Sequence, residues 1–265
     1  MAKDIGTSAQ GWIQNPQLEG NPFYWKAGEI GILLIHGFTA TTAEVRPLAH
    51  YLFQQGYSVA APLLPGHYTR PEDLNQVRWQ DWVSAVDTQY QQLATDCKQV
   101  IVGGESTGGL LALYLASQHP EICGALAYAP ALKLQFSPLQ VLGLYLMAPF
   151  KPWLPKGGGD DSLAWQGYYV NPTGGVKQLF ALQRVVRSQL KNIHQPVLII
   201  QGRKDPTVHP DVPTLIACTV HSRVIWQQWM EQSTHCVILD KEARQVENTT
   251  LNFIRSMIGT AQGEA

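Results

Sequence analysis

The stretch VIVGGESTGGLLALYLA, from Val100 to Ala116, decides how the chain is read. The β-branched run Val100–Val102 gives way within a few residues to a leucine- and alanine-rich segment after Gly108, so a strand passes into a helix with almost no loop. Ser106 sits in that turn. Gly104-Glu105-Ser106-Thr107-Gly108 fits a G-x-S-x-G pattern, which proves little in a chain with 23 glycines but gains meaning between a strand and a helix. The flanking glycines permit close approach of strand and helix, and the turn presents the serine hydroxyl at a helix N-terminus. There the helix dipole and the free N–H groups favour developing negative charge, so the Thr107 N–H can act as an oxyanion donor.

The same alternation extends in both directions. EIGILLIHGF (Glu29 to Phe38) reads as a strand, followed by a helix on which Val45, Leu48, Ala49, Leu52 and Phe53 recur at i, i+3, i+4, i+7 and i+8. Thr41, with Glu44 three residues on, suits a capping box at its start. YSVAAP, QVIVGG, ICGALAYAP, QPVLIIQG and RVIWQQW read as further strands, with helices between them and a last helix from about Asp240. This order predicts a mostly parallel central sheet flanked by helices, in one domain spanning 1–265.

More than sixty residues between Ala129 and Pro196 do not fit a single crossover. They are read as a helical cap insertion, at about 131–192, over the carboxyl edge of the sheet, where open α/β sheets bind ligands. Ser137-Pro138 opens a first piece that is apolar on nearly every side, through Leu139, Val141, Leu142, Leu144, Leu146, Met147 and Phe150. Such a segment calls for cover by protein or ligand, which makes Leu142 and Leu146 candidates to line an apolar pocket. A second piece is amphipathic, with Val176, Leu179, Phe180, Leu182, Val186 and Leu190 inward and Lys177, Arg184, Arg187 and Lys191 forming a solvated face.

Composition narrows the partners. A formal net charge of −1 and a pI near 6.7 supply no field for nucleic acid or an anionic membrane face. The four cysteines lack metal-ligand spacing, so no metal site and no disulfide framework is expected. The amino terminus has no apolar signal core and no apolar run is long enough for stable membrane insertion, which together suggest a cytoplasmic protein.

A serine nucleophile requires a base, and the base requires an orienting acid. VLIIQGRKDPTVHP places Asp205 just past a strand, at the same sheet edge as Ser106; Asp211 suits a helix N-cap instead. WMEQSTHCVILDKE puts His235 between the following strand and the last helix, a position no other histidine shares. After the first long strand, His36-Gly37-Phe38 offers the Phe38 N–H as a second oxyanion donor, with His36 as a structural hydrogen-bonding residue. Glu105 is read as a hydrogen-bonded support beneath the turn, and His67 in PLLPGHY as a candidate substrate contact.

Taken together, LLIHGFTATTAEVRPLAHYLFQQGYSVAAPLLPGH, VGGESTGG, QGRKDPTV and EQSTHCVILDKE resemble the α/β-hydrolase superfamily, and within it the bacterial carboxylesterase and monoacylglycerol lipase-like group. The likeness runs from about Ile30 to Met257 and is loose over the cap. It implies an α/β-hydrolase fold with Ser106 as nucleophile, Asp205 as acid, His235 as base, and Phe38 with Thr107 as the oxyanion hole. Thr107 stands where leucine or methionine is common, and Thr234 where glycine is frequent, which bears on the substrate more than on the chemistry. The implied function is cofactor-free hydrolysis, through an acyl-enzyme, of uncharged short- to medium-chain esters, monoacylglycerols among them. A thioesterase or acyltransferase would use the same three residues, and a silent ligand-binding member would retain the fold without the chemistry.

Overall fold

The computed structural model describes residues 9–156 and 163–261. The amino-terminal residues read for a signal core are therefore described only from residue 9, and the glycine-rich end of the first cap piece, 157–162, lies outside the described residues.

The chain runs through β1 (Ile13–Gln14), β2 (Phe23–Trp25), β3 (Ile30–Ile35), α1 (Arg46–Gln54), β4 (Ser58–Ala61), α2 (Pro71–Gln76), α3 (Trp79–Asp96), β5 (Gln99–Glu105), α4 (Thr107–Gln118) and β6 (Gly124–Tyr128). An insertion follows, with α5 (Pro138–Met147), β7 (Trp153–Pro155), β8 (Gly167–Tyr168), β9 (Val170–Pro172) and α6 (Thr173–Gln189). The core resumes with β10 (Val197–Gly202), α7 (Val212–Thr219), β11 (Ile225–Met230) and α8 (Ala243–Ala261). Seven strands form the central sheet in the order β11-β10-β6-β5-β3-β4-β2, every pair parallel except β2 with β4.

The inner strands are apolar along most of their length because successive side chains point to opposite faces and both faces are covered. Leu33, Ile35, Val100 and Val102 pack with Trp82, Val86 and Tyr90 of α3, with α4, and with Leu179, Leu182 and Val186 of α6. Ile32, Leu34, Ile101 and Leu126 face the other way, onto Leu48 and Leu52 of α1 and Val246, Phe253 and Ile254 of α8. Every strand and helix expected for the core is present. The short β2 and α2 are additions that three- and six-residue segments leave too little periodicity to announce.

Three local expectations are corrected. Thr41 does cap a short 3₁₀ turn, Thr42–Glu44, accepting from the Ala43 N–H at 3.3 Å, but no capping box forms, since the Thr41 N–H donates to the Gln166 carbonyl. The last helix starts at Ala243 rather than near Asp240, whose carboxylate is occupied by Thr234. Asp211 is at the N-cap of α7 yet makes no side-chain cap bond, facing Lys133 and His209 instead.

The insertion divides as its composition suggests. Ser137 and Gln140 close a capping box at the start of α5, and α6 buries Val176, Leu179, Leu182 and Val186. On α5, however, only Leu144 is buried; Leu139 is 79% exposed, and Phe150 just beyond the helix is 85% exposed. Aromatic contacts between Tyr145 and Phe180, and between Phe136 and Phe180, hold α5 to α6 on one side only. The basic stripe is not uniformly solvated either: Arg187 donates to the Leu132 carbonyl at 2.7 and 3.0 Å, tying α6 to the segment after β6.

An amino-terminal arm reaches across to this insertion. β1 pairs antiparallel with β8, Asn15 Nδ2 donates to the Trp165 carbonyl, and Gln166 Nε2 donates to the carbonyls of Asn15 and Leu18. At the sheet's carboxyl edge, His36 Nε2 accepts the Leu64 N–H at 3.1 Å, which leaves Nδ1–H to donate to the Gly37 carbonyl at 2.9 Å. Its structural reading holds, and burial pushes its pKa down to about 4.

Two predictions follow from this packing. A Cβ on Gly104 would lie 2.5 Å from the Gly108 carbonyl carbon and the Ile35 oxygen, both backbone atoms, whereas one on Gly143 would meet nothing. Gly104→Ala should therefore lower unfolding free energy by about 1–3 kcal/mol, and Gly143→Ala should raise it by up to about 1 kcal/mol, read from denaturant midpoints. Because His36 is held neutral in the fold, the unfolded chain binds the extra proton, so stability is full above pH 6.5 and falls as pH drops toward 4. His36→Asn should flatten the slope of stability between pH 6.5 and 5 by up to about 1.4 kcal/mol per pH unit.

Candidate active site

Ser106 caps α4 with φ 56° and ψ −111°, a conformation that β-carbon sterics disfavour and that surrounding bonds must impose. Its N–H donates to the Tyr128 carbonyl at 2.8 Å and its own carbonyl accepts from Ala131 at 3.0 Å, so β6 and the start of the insertion hold the turn from one side. From the other, Gly108 lies against the Ile35 and His36 carbonyls. The close approach expected of Gly104 and Gly108 is what the structure shows.

The loops after β10 and β11 bring Asp205 and His235 to this serine. His235 Nε2 is 3.0 Å from Ser106 Oγ, and His235 Nδ1–H donates to Asp205 Oδ2 at 2.9 Å. The other carboxylate oxygen, Oδ1, accepts from the Thr207 and Val208 amides at 2.7 and 3.0 Å, which fixes the acid against rotation. Gln135 of the insertion donates to the Asp205 carbonyl at 2.9 Å. The His235 loop is pinned in turn, since the Thr234 N–H and hydroxyl both donate to Asp240 Oδ2, at 2.6 and 2.7 Å, and the Ser233 hydroxyl donates to Glu242. A glycine at the preceding position could not make that two-point anchor. With the carboxylate fixing the proton on Nδ1, the Nε2 lone pair faces the serine hydroxyl, the tautomer that can accept its proton.

The loop after β3, which carries Phe38, approaches the serine through Gly37, and Thr107 follows it at the start of α4. Gly37 is wedged between Ser106 and Glu44: a Cβ there would lie 3.3 Å from Ser106 Cβ and 3.1 Å from Glu44 Oε2. Thr107 opens α4, where a helix leaves its first N–H groups without an intrahelical partner. His67 is buried behind Phe38, its ring centroid 6.2 Å from the phenyl and 5.0 Å from His36, and its Nδ1–H donates to the Pro65 carbonyl. Burial holds its pKa well below the usual histidine range. Leu142 and Leu146 are 55% and 65% exposed on α5, and so belong to no packed core.

Glu44, Lys156 and Glu105 complete the surroundings. Glu44, 2% exposed, accepts the Gly37 N–H at 2.6 Å and the Trp165 Nε1–H at 2.8 Å, with Cys236 Sγ 3.9 Å away. Burial raises its pKa, opposed by those two donors and by His235 and Lys156 nearby. Lys156 donates to Thr39 Oγ1 at 2.7 Å and lies 3.6 Å from the Trp165 ring centroid; burial lowers its pKa to about 8. Glu105 is fully buried beneath the turn as expected, but its oxygens miss hydrogen-bond geometry with the Val237 and Ile238 amides that face it, and burial with the neighbouring Glu44 and Asp205 pushes its pKa well up. The hydrogen-bonded support foreseen for this side chain is therefore not formed by its carboxyl oxygens. Among the described residues no group of three or more histidine, cysteine, aspartate or glutamate side chains could hold a metal ion, and no helix is long and apolar enough to cross a membrane.

Comparison with known proteins agrees with the fold and its parallel sheet. The family described as serine aminopeptidase, S33, matches residues 29–167. A thermostable monoacylglycerol lipase from Bacillus sp. (strain H-257) is 32% identical over 250 residues, 93% of this chain and 99% of the relative. A carboxylesterase from Bacillus subtilis (strain 168) is 29% identical over 238 residues, 89% of this chain and 96% of the relative. Among solved structures, one from work on LipS and LipT, two metagenome-derived lipolytic enzymes, aligns with a TM-score of 0.84 at 31% identity, covering 90% of this chain and 99% of that one. The Paleococcus ferrophilus monoacylglycerol lipase shares the fold at 18% identity and a TM-score of 0.74, over 91% of this chain and 100% of that one. With half the chain inside one family and nearly all of it aligned to a relative at 32% identity, the chain belongs to the serine aminopeptidase S33 family of the α/β-hydrolase superfamily, alongside its monoacylglycerol lipases and carboxylesterases, and is a serine hydrolase.

Proposed function

We propose that the protein hydrolyses uncharged carboxylic esters of short to medium acyl chain, monoacylglycerols among them, through an acyl-enzyme on Ser106. The observation that carries this reading is the continuous contact from Asp205 through His235 to Ser106, at 2.9 and 3.0 Å. His235 Nε2 takes the hydroxyl proton as Ser106 Oγ attacks the acyl carbonyl, and the Asp205 carboxylate stabilises the imidazolium. The carbonyl oxygen becomes an oxyanion held by the Phe38 and Thr107 N–H groups. Its collapse expels the alcohol, which leaves with the proton from His235. Water then loses a proton to His235 and attacks the acyl carbon; the acyl–Oγ bond breaks as His235 returns that proton to Ser106 Oγ, releasing the acid.

The named relatives support an ester substrate, and the apolar face of α5 supports an acyl chain. We assign Leu142 and Leu146 to the acyl route, with residues 131–192 acting as the cap. His67, enclosed behind Phe38 with its Nδ1–H donated to Pro65, is assigned to supporting the Phe38 side of the substrate site rather than to direct contact with substrate.

A panel of p-nitrophenyl esters from C2 to C16, with a monoacylglycerol and an acyl-CoA, should show the highest kcat/KM on the shorter esters and little turnover of the thioester. Ser106→Ala should lower turnover by about 10⁶ and Asp205→Asn by about 10⁴, both with the fold retained. Asp211→Asn should change little; the reverse ranking of the two aspartates would move the acid role to Asp211. Leu142→Trp or Leu146→Trp should lower kcat/KM for long esters relative to butyrate, since each excluded methylene forfeits about 0.8 kcal/mol. Equal loss on all chain lengths, or none, would remove α5 from the acyl route.

A further inference from the structure

The loop from Gly37 to Thr41, which carries Phe38, is gripped from two directions. Outside it lies the return segment of the insertion: the Tyr168 N–H donates to the Thr39 carbonyl at 3.0 Å, the Thr41 N–H to the Gln166 carbonyl at 3.1 Å, and the Thr41 hydroxyl to Gln166 Oε1 at 2.7 Å. Ala40 forms a bridge with Gly167, and Lys156 donates to Thr39 Oγ1. Thr39 itself has φ +63°, a left-handed conformation that needs this support. Inside lies Glu44, with one carboxylate oxygen on the Gly37 N–H and the other on the Trp165 indole N–H.

Glu44 thus holds the loop with one carboxylate oxygen and the insertion with the other. Its bond to Gly37 orients the peptide immediately before the Phe38 N–H, while the Trp165 bond fixes the carboxylate that does so. We propose that Glu44 is a positioning residue for the oxyanion hole, setting the Gly37–Phe38 segment and coupling that setting to the cap through Trp165. The inference rests on the reading that the Phe38 N–H binds the oxyanion. A glutamine cannot replace it: the amide offers one acceptor oxygen where two N–H donors need two, and its NH₂ turns a donor toward one of them. Loss of Trp165 Nε1–H releases only the cap end and has the smaller effect.

An oxyanion-specific readout tests this. Sulfur in place of the carbonyl oxygen accepts hydrogen bonds poorly, so the preference for p-nitrophenyl butyrate over its thiono analogue reports on the donors. In Glu44→Gln, kcat/KM for the oxygen ester, per site titrated with a fluorophosphonate, should fall about 10- to 100-fold, below the loss seen when an oxyanion donor is removed outright or near its lower limit. The ester preference should narrow by about tenfold, because the weakened donors serve the oxygen more than the sulfur. Trp165→Phe should move both quantities the same way by about threefold. If Glu44→Gln does not fold, Glu44→Asp and Trp165→Phe carry the measurement. A lowered Tm with kcat/KM per site and ester preference both within twofold of wild type would overturn the proposal and leave Glu44 a structural residue. A wild type with no ester preference would remove the oxyanion reading and this proposal together; a wild-type preference that survives the Glu44 variants removes this proposal alone.

Discussion

Everything at the site depends on one disfavoured backbone conformation. With φ at 56° and ψ at −111°, Ser106 would relax if it were free to do so, and it is not free. Strand β5 delivers it, α4 begins immediately after it, and two hydrogen bonds and two glycine contacts close the remaining directions. The core on both faces of the sheet is what holds these constraints rigid, so the packing of residues such as Leu34 and Val102 bears on the hydroxyl's direction as well as on stability. The same sheet geometry brings the ends of β10 and β11 alongside, and the two long loops that follow need only short anchors to finish the alignment.

How much of this was legible in the sequence follows from the range of each interaction. Ser106, Asp205 and His235 could each be placed because a strand's carboxyl end is visible as an apolar run meeting a polar turn. Parallel strands then put all such ends on one edge. The core helices were legible for a related reason: α1, α3 and α6 each bury one stripe, and a stripe has a period. Glu44 was not legible as what it is. Thr41 and Glu44 fit a local capping pattern, whereas the indole that decides the carboxylate's position is 121 residues away. Asp240 misled in the same manner, as an acid suited to start a helix whose actual partner, Thr234, precedes it in the histidine loop.

The insertion shows the limit of composition. An apolar segment all round reads as one that must be covered, and α5 covers only Leu144 and the side facing Phe180. Hydropathy reports what a segment prefers to touch; it does not report whether the folded chain supplies the surface. Glu105 shows the converse, because its burial was foreseen and the upward push on its pKa was not. Two other carboxylates near it, Glu44 and Asp205, come from loops remote in sequence, and their joint effect exists only once the sheet has assembled.

The amino-terminal arm has a consequence for how the molecule is made. Asn15 and Gln14 find their partners at Trp165 and Gly167, some 150 residues later, and those partners in turn clamp the loop that carries Phe38. A ribosome releasing this chain from its amino end exposes the arm long before anything exists for it to bind. Closing so long a loop is slow relative to forming local helices, and the loop entropy is met before the contacts repay it. The arm therefore waits for a segment made some 150 residues after it, and the outer clamp on the loop that carries Phe38 closes only once that segment has emerged. An enzyme built in this order lacks that clamp until its insertion has been made.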